Sequence, residues 1–89
     1  MKNKMVERID LNIENLKLQL DDVKQRISLC RKAGLDTKIV ELKVMVIPSK
    51  IEMVEITKDF KDVQKISNML NDAKNEIEVV EKEGLNSKK

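Results

Sequence analysis

The sequence predicts an all-α protein, an antiparallel up-down-up three-helix bundle whose helices pack along heptad seams. Only one of the 89 residues is aromatic, whereas β-domains rely heavily on aromatic side chains. In the first and last thirds of the chain, apolar residues recur at alternating steps of three and four, as in packed helices. Two similar phrases, KAGLDTK at 32–38 and KEGLNSK at 82–88, follow these stretches. The length fits one small domain.

The first helix is predicted over residues 4–33. Its seam keeps the three-four step throughout and consists of Val6, Ile9, Ile13, Leu16, Leu20, Val23, Ile27 and Cys30. Gly34 follows, and glycine adopts the left-handed conformation after a helix without a Cβ clash. The helix is therefore expected to end in a Schellman motif, in which Leu35 would contact Cys30.

The second helix is predicted over residues 37–56, with Asp36 or Thr37 as its N-cap and a kink at Pro48. One apolar line contains Ile39, Leu42, Val46, Met53 and Ile56, and the other contains Val40, Val44, Ile47, Ile51 and Val54. Together they predict a wide face that contacts both other helices. A β-hairpin across 41–56 is the alternative and would make the fold α+β. We favour the helix because an isolated two-stranded hairpin is only marginally stable.

The third helix is predicted over residues 60–83, with Asp59 as its N-cap. Its seam consists of Val63, Ile66, Leu70, Ala73, Ile77 and Val80. Gly84 stands in the same frame and is expected to end the helix as Gly34 ends the first, leaving 84–89 as a frayed tail. Since this seam lies 50 positions after the first one, in register, an internal helix repeat is predicted.

The order of helix, Gly34-Leu35-Asp36, helix, the turn Lys58-Asp59-Phe60 and helix resembles the helical-hairpin units of TPR-like and small archaeal proteins. The resemblance covers about residues 20–80 and implies a scaffold that binds partners. Pro48 within the second helix and the scarcity of alanine depart from the TPR pattern.

Residue types that carry chemistry are scarce. The chain has no histidine, and histidine is the commonest general base and metal ligand. Its only cysteine, Cys30, lies within the first seam, where a buried structural thiol is expected. Both glycines are predicted helix ends, so no glycine-rich phosphate loop exists. We therefore expect no enzymatic activity, no bound metal or cofactor, and no small-molecule substrate.

The charge is modest and mixed. The net charge is +2, and residues 1–50 carry 11 basic and 7 acidic side chains. The basic excess of the first half makes nucleic-acid binding an alternative function. Because the charges are interleaved and no aromatic platform accompanies them, such binding is expected to be weak and without sequence specificity. No stretch approaches the roughly 20 apolar residues of a membrane span. The single cysteine fits a reducing cytoplasm.

Three leucines lie opposite the first seam on the same predicted helix. Leu11, Leu18 and Leu29 fall within about 20° of one line at 100° per residue. A line of leucines on an outer helix face is suited to contact with another chain. The predicted function is therefore protein–protein interaction or self-assembly, with a protein partner or a second copy in a homodimer.

Overall fold

The computed structural model describes residues 4–87, with the side chains of residues 8–84. Its elements are α1 (Lys4–Lys32), α2 (Lys38–Met45), α3 (Ile47–Thr57) and α4 (Phe60–Ser87). No strand occurs among the described residues. The predicted all-α class is confirmed, and the alternative hairpin across 41–56 is wrong.

The two heptad seams form most of the core. On α1 every seam residue from Ile9 to Cys30 is buried, and on α4 every seam residue from Val63 to Ile77 is buried. Val80 is half-buried against the same cluster, and the side chain of Val6 lies outside the described residues. The inner line of the middle segment completes the core with Val40, Val44, Ile47, Ile51 and Val54. The long narrow seams thus make a thin, continuous core, as expected for a small helical domain.

Polar pairs between helices indicate the relative directions of the helices. Asp10 pairs with Lys58, directly after α3, and Lys17 pairs with Glu55 on α3. Between α1 and α4 the pairs are Gln19–Lys74 and Arg26–Glu81. Residue numbers on α3 fall as those on α1 rise, whereas those on α4 rise with those on α1. This order supports the predicted up-down-up arrangement.

The middle segment is divided into two helices at Val46, two residues before the predicted kink. Pro48 has no N–H for the carbonyl of Val44, and its ring would clash with that carbonyl in a continuous helix. With the interruption at Val46, Pro48 instead lies in the first turn of α3, where a missing N–H costs no hydrogen bond. Val46 itself keeps a helical backbone, with φ −87° and ψ −10°. The apolar lines therefore continue in phase from α2 to α3.

The end of α1 has the predicted Schellman geometry. Gly34 has φ +83°, in the left-handed region that glycine enters without strain. The N–H of Leu35 donates to the carbonyl of Cys30, and the N–H of Gly34 donates to that of Arg31, both at 2.9 Å. These two bonds satisfy carbonyls that the end of a helix leaves without partners.

An aspartate just before α2 and another just before α4 each accept a hydrogen bond from the backbone of the helix that follows. Asp36 Oδ1 accepts a hydrogen bond from the backbone N–H two residues later, at 3.1 Å. Thr37 occupies the N-cap position of α2, but its hydroxyl donates to the carboxylate of Glu41 instead of capping the backbone. Asp59 Oδ1 accepts from the N–H of Lys61 at 2.9 Å at the start of α4. The predicted cap at Asp59 is confirmed.

The prediction that Gly84 ends the last helix is wrong. The helix α4 continues through Gly84 to Ser87, and Gly84 is buried. A Cβ atom at residue 84 would lie 2.5 Å from Cδ1 of Leu35. The side chain of Leu35 occupies the space that a Cβ atom would take, so a larger residue at position 84 would require Leu35 to shift. Residues 84–87 are thus helical and not a frayed tail, whereas 88 and 89 lie outside the described residues.

Candidate interaction surface

An exposed heptad seam runs along the outside of α2 and α3. This outer seam consists of Ile39, Leu42, Val46, Ser49, Met53 and Ile56, at steps of three, four, three, four and three. Its five large apolar side chains are 44–82% exposed. The prediction that this line packs against a neighbouring helix of the same chain is therefore wrong. A seam of this kind is the pattern by which one helix packs on another.

The outer seam lacks a partner because the bundle uses only one face of each helix. The inner line of the same two helices, from Val40 to Val54, is buried against α1 and α4. One seam on α1 and one on α4 complete that core. The outer seam begins one residue before the inner line and projects to a different side of the helix. No described part of the chain covers it.

Polar residues and one methionine border the outer seam. Along one edge lie Lys38, Met45 and Glu52, all exposed, which directly precede the first, third and fifth seam positions. Along the other edge lie Lys43, Lys50 and Thr57, which directly follow the second, fourth and sixth seam positions. Lys43 Nζ lies 2.6 Å from Asp72 Oδ2 on α4. The hydrogen bond from Lys43, with that carboxylate's charge, outweighs partial burial and raises the pKa of the ammonium.

A groove between α3 and α4 extends the apolar surface beyond the outer seam. It has a volume of about 200 Å³ and is lined by Lys50, Met53, Val54, Asp62, Lys65, Ile66 and Met69. Met53 belongs to the outer seam, and Met69 is half-buried against the core. Methionine side chains are flexible and adapt to irregular partners. The apolar surface is therefore wider around α3 than the seam alone.

The three leucines predicted as an interface are exposed on the opposite side of α1 from the core. Leu11, Leu18 and Leu29 are 66–71% exposed. The heptad positions between them carry polar residues, namely Asn15, Asp22 and Gln25. This leucine line is therefore interrupted at half of its positions, whereas the outer seam is interrupted only at Ser49. Its role as an interface stays a prediction.

Several basic side chains of α1 are paired with carboxylates of other helices. Lys17 Nζ lies 2.6 Å from Glu55 Oε2, and Arg31 Nε lies 3.6 Å from Glu41 Oε2. Arg26 donates through Nε and Nη2 to both carboxylate oxygens of Glu81, at 3.1 and 2.7 Å. A basic residue paired in this way presents less positive charge to a phosphate backbone. These pairs weigh against nucleic-acid binding through α1.

The Arg26–Glu81 pair joins α1 to α4 beside the core. The hydrogen bond from Arg26, with its charge, holds the pKa of the Glu81 carboxyl below its usual range, although partial burial acts in the opposite direction. The same hydrogen bond raises the pKa of Arg26. Such a two-bonded guanidinium–carboxylate contact fixes geometry better than a single ion pair does. It links the two longest helices at the edge of the core.

The described residues contain little that suggests chemistry. Cys30 is buried in the core, and this burial raises the pKa of its thiol, which disfavours the reactive thiolate. No group of three or more cysteine, aspartate or glutamate side chains in the described part of the chain is arranged to hold a metal ion. None of the helices, over the residues described, has the length and apolar character to cross a bilayer.

The chain exposes more surface than a globular monomer of its mass. Its accessible surface is 6518 Å², whereas about 5,400 Å² is expected for a monomer of 10.3 kDa. The radius of gyration is 15.3 Å, against about 12 Å for a compact domain of this length. Long helices around a thin core produce this elongated shape, 57 Å by 19 Å by 17 Å. The exposed side chains of the outer seam are part of this surface.

Comparison with known proteins identifies no relative. No family model, no curated protein and no solved structure matches this chain. The geometry of the outer seam is therefore the main basis for a functional proposal.

Proposed function

We propose that this protein is a non-catalytic helical module that works by protein–protein interaction or self-assembly, and that it binds a helix on its outer seam. The observation that carries the proposal is the exposure of Ile39, Leu42, Val46, Met53 and Ile56 on one heptad line. Scattered exposed leucines are normal on protein surfaces. A continuous apolar line at helical spacing is instead typical of a contact surface.

The apolar side chains of the outer seam offer a substantial free energy of burial. Burial of one large aliphatic side chain contributes about 1.5–3 kcal/mol when it passes from full exposure to full burial. The seam offers five such side chains, from half-exposed to almost fully exposed. Burial of all five would contribute on the order of 5 kcal/mol or more. A partner with a similar seam would contribute about the same amount again. Such gains are needed to offset the entropy lost in association, about 4–15 kcal/mol.

The proposal is tested with a variant that places two charges in the seam, Leu42→Glu with Met53→Glu. Both leucine and methionine here are 63% exposed, so the fold should be retained and circular dichroism should be unchanged. A matched control, Asn71→Glu with Asn75→Glu, adds the same charge at exposed positions of α4. Sedimentation of the pure proteins, together with capture from a lysate of the native cells, measures self-association and partner binding.

We expect the seam variant to lose self-association, partner capture or both, while the control retains what the wild type has. The proposal is overturned when the wild type sediments as a 10.3 kDa monomer and captures nothing that the seam variant does not also capture. Gel-shift measurements at low and high salt separate this function from nucleic-acid binding, which weakens steeply as salt rises.

A further inference from the structure

We infer that the occupant of the outer seam is a second copy of this chain, packed antiparallel about a twofold axis near Val46 and Ser49. This inference rests on the proposed function and specifies its partner and geometry. A twofold dimer uses the same patch on both chains, so the patch must be complementary to itself. The order of side chains and charges along α2 and α3 fulfils this condition in one orientation.

The seam residues are matched in size when the seam is laid antiparallel on itself. In an antiparallel helix pair, the first, third and fifth seam positions of one chain lie opposite the sixth, fourth and second positions of the other chain. With the axis between Val46 and Ser49, the facing pairs are Ile39–Ile56, Leu42–Met53 and Val46–Ser49, each formed twice. Large side chains face large ones, and the two smallest face each other at the centre. The helices can approach most closely there, next to the break at Val46.

The charges along the seam favour the antiparallel orientation. A twofold axis perpendicular to the helices brings each edge of the seam against the same edge of the second copy. Lys38 then faces Glu52 of the second copy, twice per dimer, and Met45 faces its own counterpart. Both charged residues are exposed and available for this contact. On the other edge Lys43 faces Thr57 of the second copy, twice per dimer, and the two Lys50 side chains form the one pair of like charges.

The parallel orientation brings like charges together. In a parallel pair, Lys38, Met45 and Glu52 on one edge would each face the residue five positions later in the second chain, on its other edge. Lys38 would then face Lys43 of the second copy, and Glu52 would face Thr57, so neither edge would contain an attractive pair. Like charges directly opposed across a helix pair destabilise it.

The surface area of the chain fits one interface of ordinary size. The chain exposes 6518 Å², roughly 1,100 Å² above the value expected for its mass. A stable interface removes about 800 Å² from each partner, which is less than this excess. A second copy also supplies its own five apolar seam residues, so both sides of the contact are apolar.

Charge reversal tests the orientation. We expect Lys38→Glu and Glu52→Lys, each alone, to weaken the dimer by roughly 3- to 30-fold in dissociation constant, since each replaces two attractive contacts by repulsive ones. The combined variant should restore the wild-type constant in sedimentation equilibrium. Tighter association of Lys38→Glu alone would indicate the parallel pair and overturn the inference, as would a combined variant no tighter than the single ones.

Disulfide formation tests the position of the axis. In a Cys30→Ala background, Met45→Cys should cross-link rapidly under mild oxidation because residue 45 faces itself across the axis. Leu18→Cys is a matched control, since Leu18 and Met45 are both 67% exposed, and it should cross-link slowly. Equal rates would overturn the proposed geometry. A wild type that stays monomeric at high concentration would overturn self-association, whereas seam-dependent capture of another protein would leave the proposed function standing.

Discussion

The side chain of Leu35 packs on the backbone of Gly84. A Cβ atom at residue 84 would lie 2.5 Å from Cδ1 and 2.8 Å from Cδ2 of Leu35. Gly84 continues the seam of α4, in which the preceding positions carry apolar side chains, and Leu35 occupies the space that such a side chain would need. The two similar phrases, KAGLDTK and KEGLNSK, thus meet in the fold, with the leucine of the first against the glycine of the second.

The contact predicts that the effect of Gly84→Ala depends on Leu35. Replacing a glycine inside a helix by alanine stabilises by about 1 kcal/mol when nothing obstructs the methyl group. We expect this gain to be absent in the wild type, because Leu35 must shift, and to appear in a Leu35→Ala background. Urea titrations of the four proteins form a double-mutant cycle with a coupling of roughly 1 kcal/mol. An equal effect of Gly84→Ala in both backgrounds would show that the two residues are independent.

Gly34 has a different reason to be glycine, and its substitutions should differ accordingly. Apart from Gly34 and its two chain neighbours, no described residue has a heavy atom within 4 Å of a Cβ built there, but its φ is +83°. We expect Gly34→Val to lower the free energy of unfolding by about 1–2 kcal/mol through backbone strain alone. Gly34→Asn should cost less, since asparagine tolerates the left-handed region. Equal losses for valine and asparagine in a denaturant titration would contradict this explanation.

The Arg26–Glu81 pair predicts a contribution to acid sensitivity. Because the folded state lowers the pKa of Glu81, its contribution to stability is present above the ordinary carboxyl pKa, about 4.3, and is lost as pH falls through the lower folded value. Glu81→Gln should reduce stability at pH 7 by about 1 kcal/mol or less and flatten the decline in stability below about pH 4.3. Asp21→Asn, at an exposed carboxylate on α1, is the control and should flatten it less. Identical pH profiles for Glu81→Gln and the wild type would contradict the prediction.

The rate at which the thiol of Cys30 is modified should depend on opening of the core. Its thiol is buried and its pKa is raised by that burial, and only the thiolate reacts with disulfide reagents. We expect modification in the folded protein to be slower than in the denatured protein by on the order of 10³-fold, because reaction requires opening. The rate should rise with urea. Rapid labelling in native buffer would show that the seam of α1 opens easily.

The leucines of α1 provide a test that separates two surfaces. The triple change Leu11→Glu, Leu18→Glu and Leu29→Glu affects exposed positions on the outer side of α1, so helical content should be retained. If the outer seam is the contact surface, the sedimenting mass of this variant should equal that of the wild type. A fall to 10.3 kDa would instead assign self-association to the leucine line, and loss of helical signal would place the line in the core.

The sequence by itself determined the features that depend on neighbouring residues. The seams of α1 and α4, the Schellman end at Gly34 and the cap at Asp59 all follow from local spacing and local hydrogen bonds, and the structure confirms each of them. Pro48 also predicted an interruption, but its position at Val46 depended on how the proline was accommodated. A proline fits the first turn of a helix better than its middle, so the new helix starts just before it.

Only the tertiary structure decided the features that depend on distant residues. Gly34 and Gly84 stand in similar phrases, yet Gly34 ends α1 whereas Gly84 lies within α4, with Leu35, 49 positions earlier, against it. The two apolar lines of the middle segment are equally good helical seams in sequence. Their fates differ because α1 and α4 together enclose only one face of α2 and α3, so one line became core and the other became surface. Local sequence specifies that a face is apolar, whereas the placement of the other helices determines which face is covered.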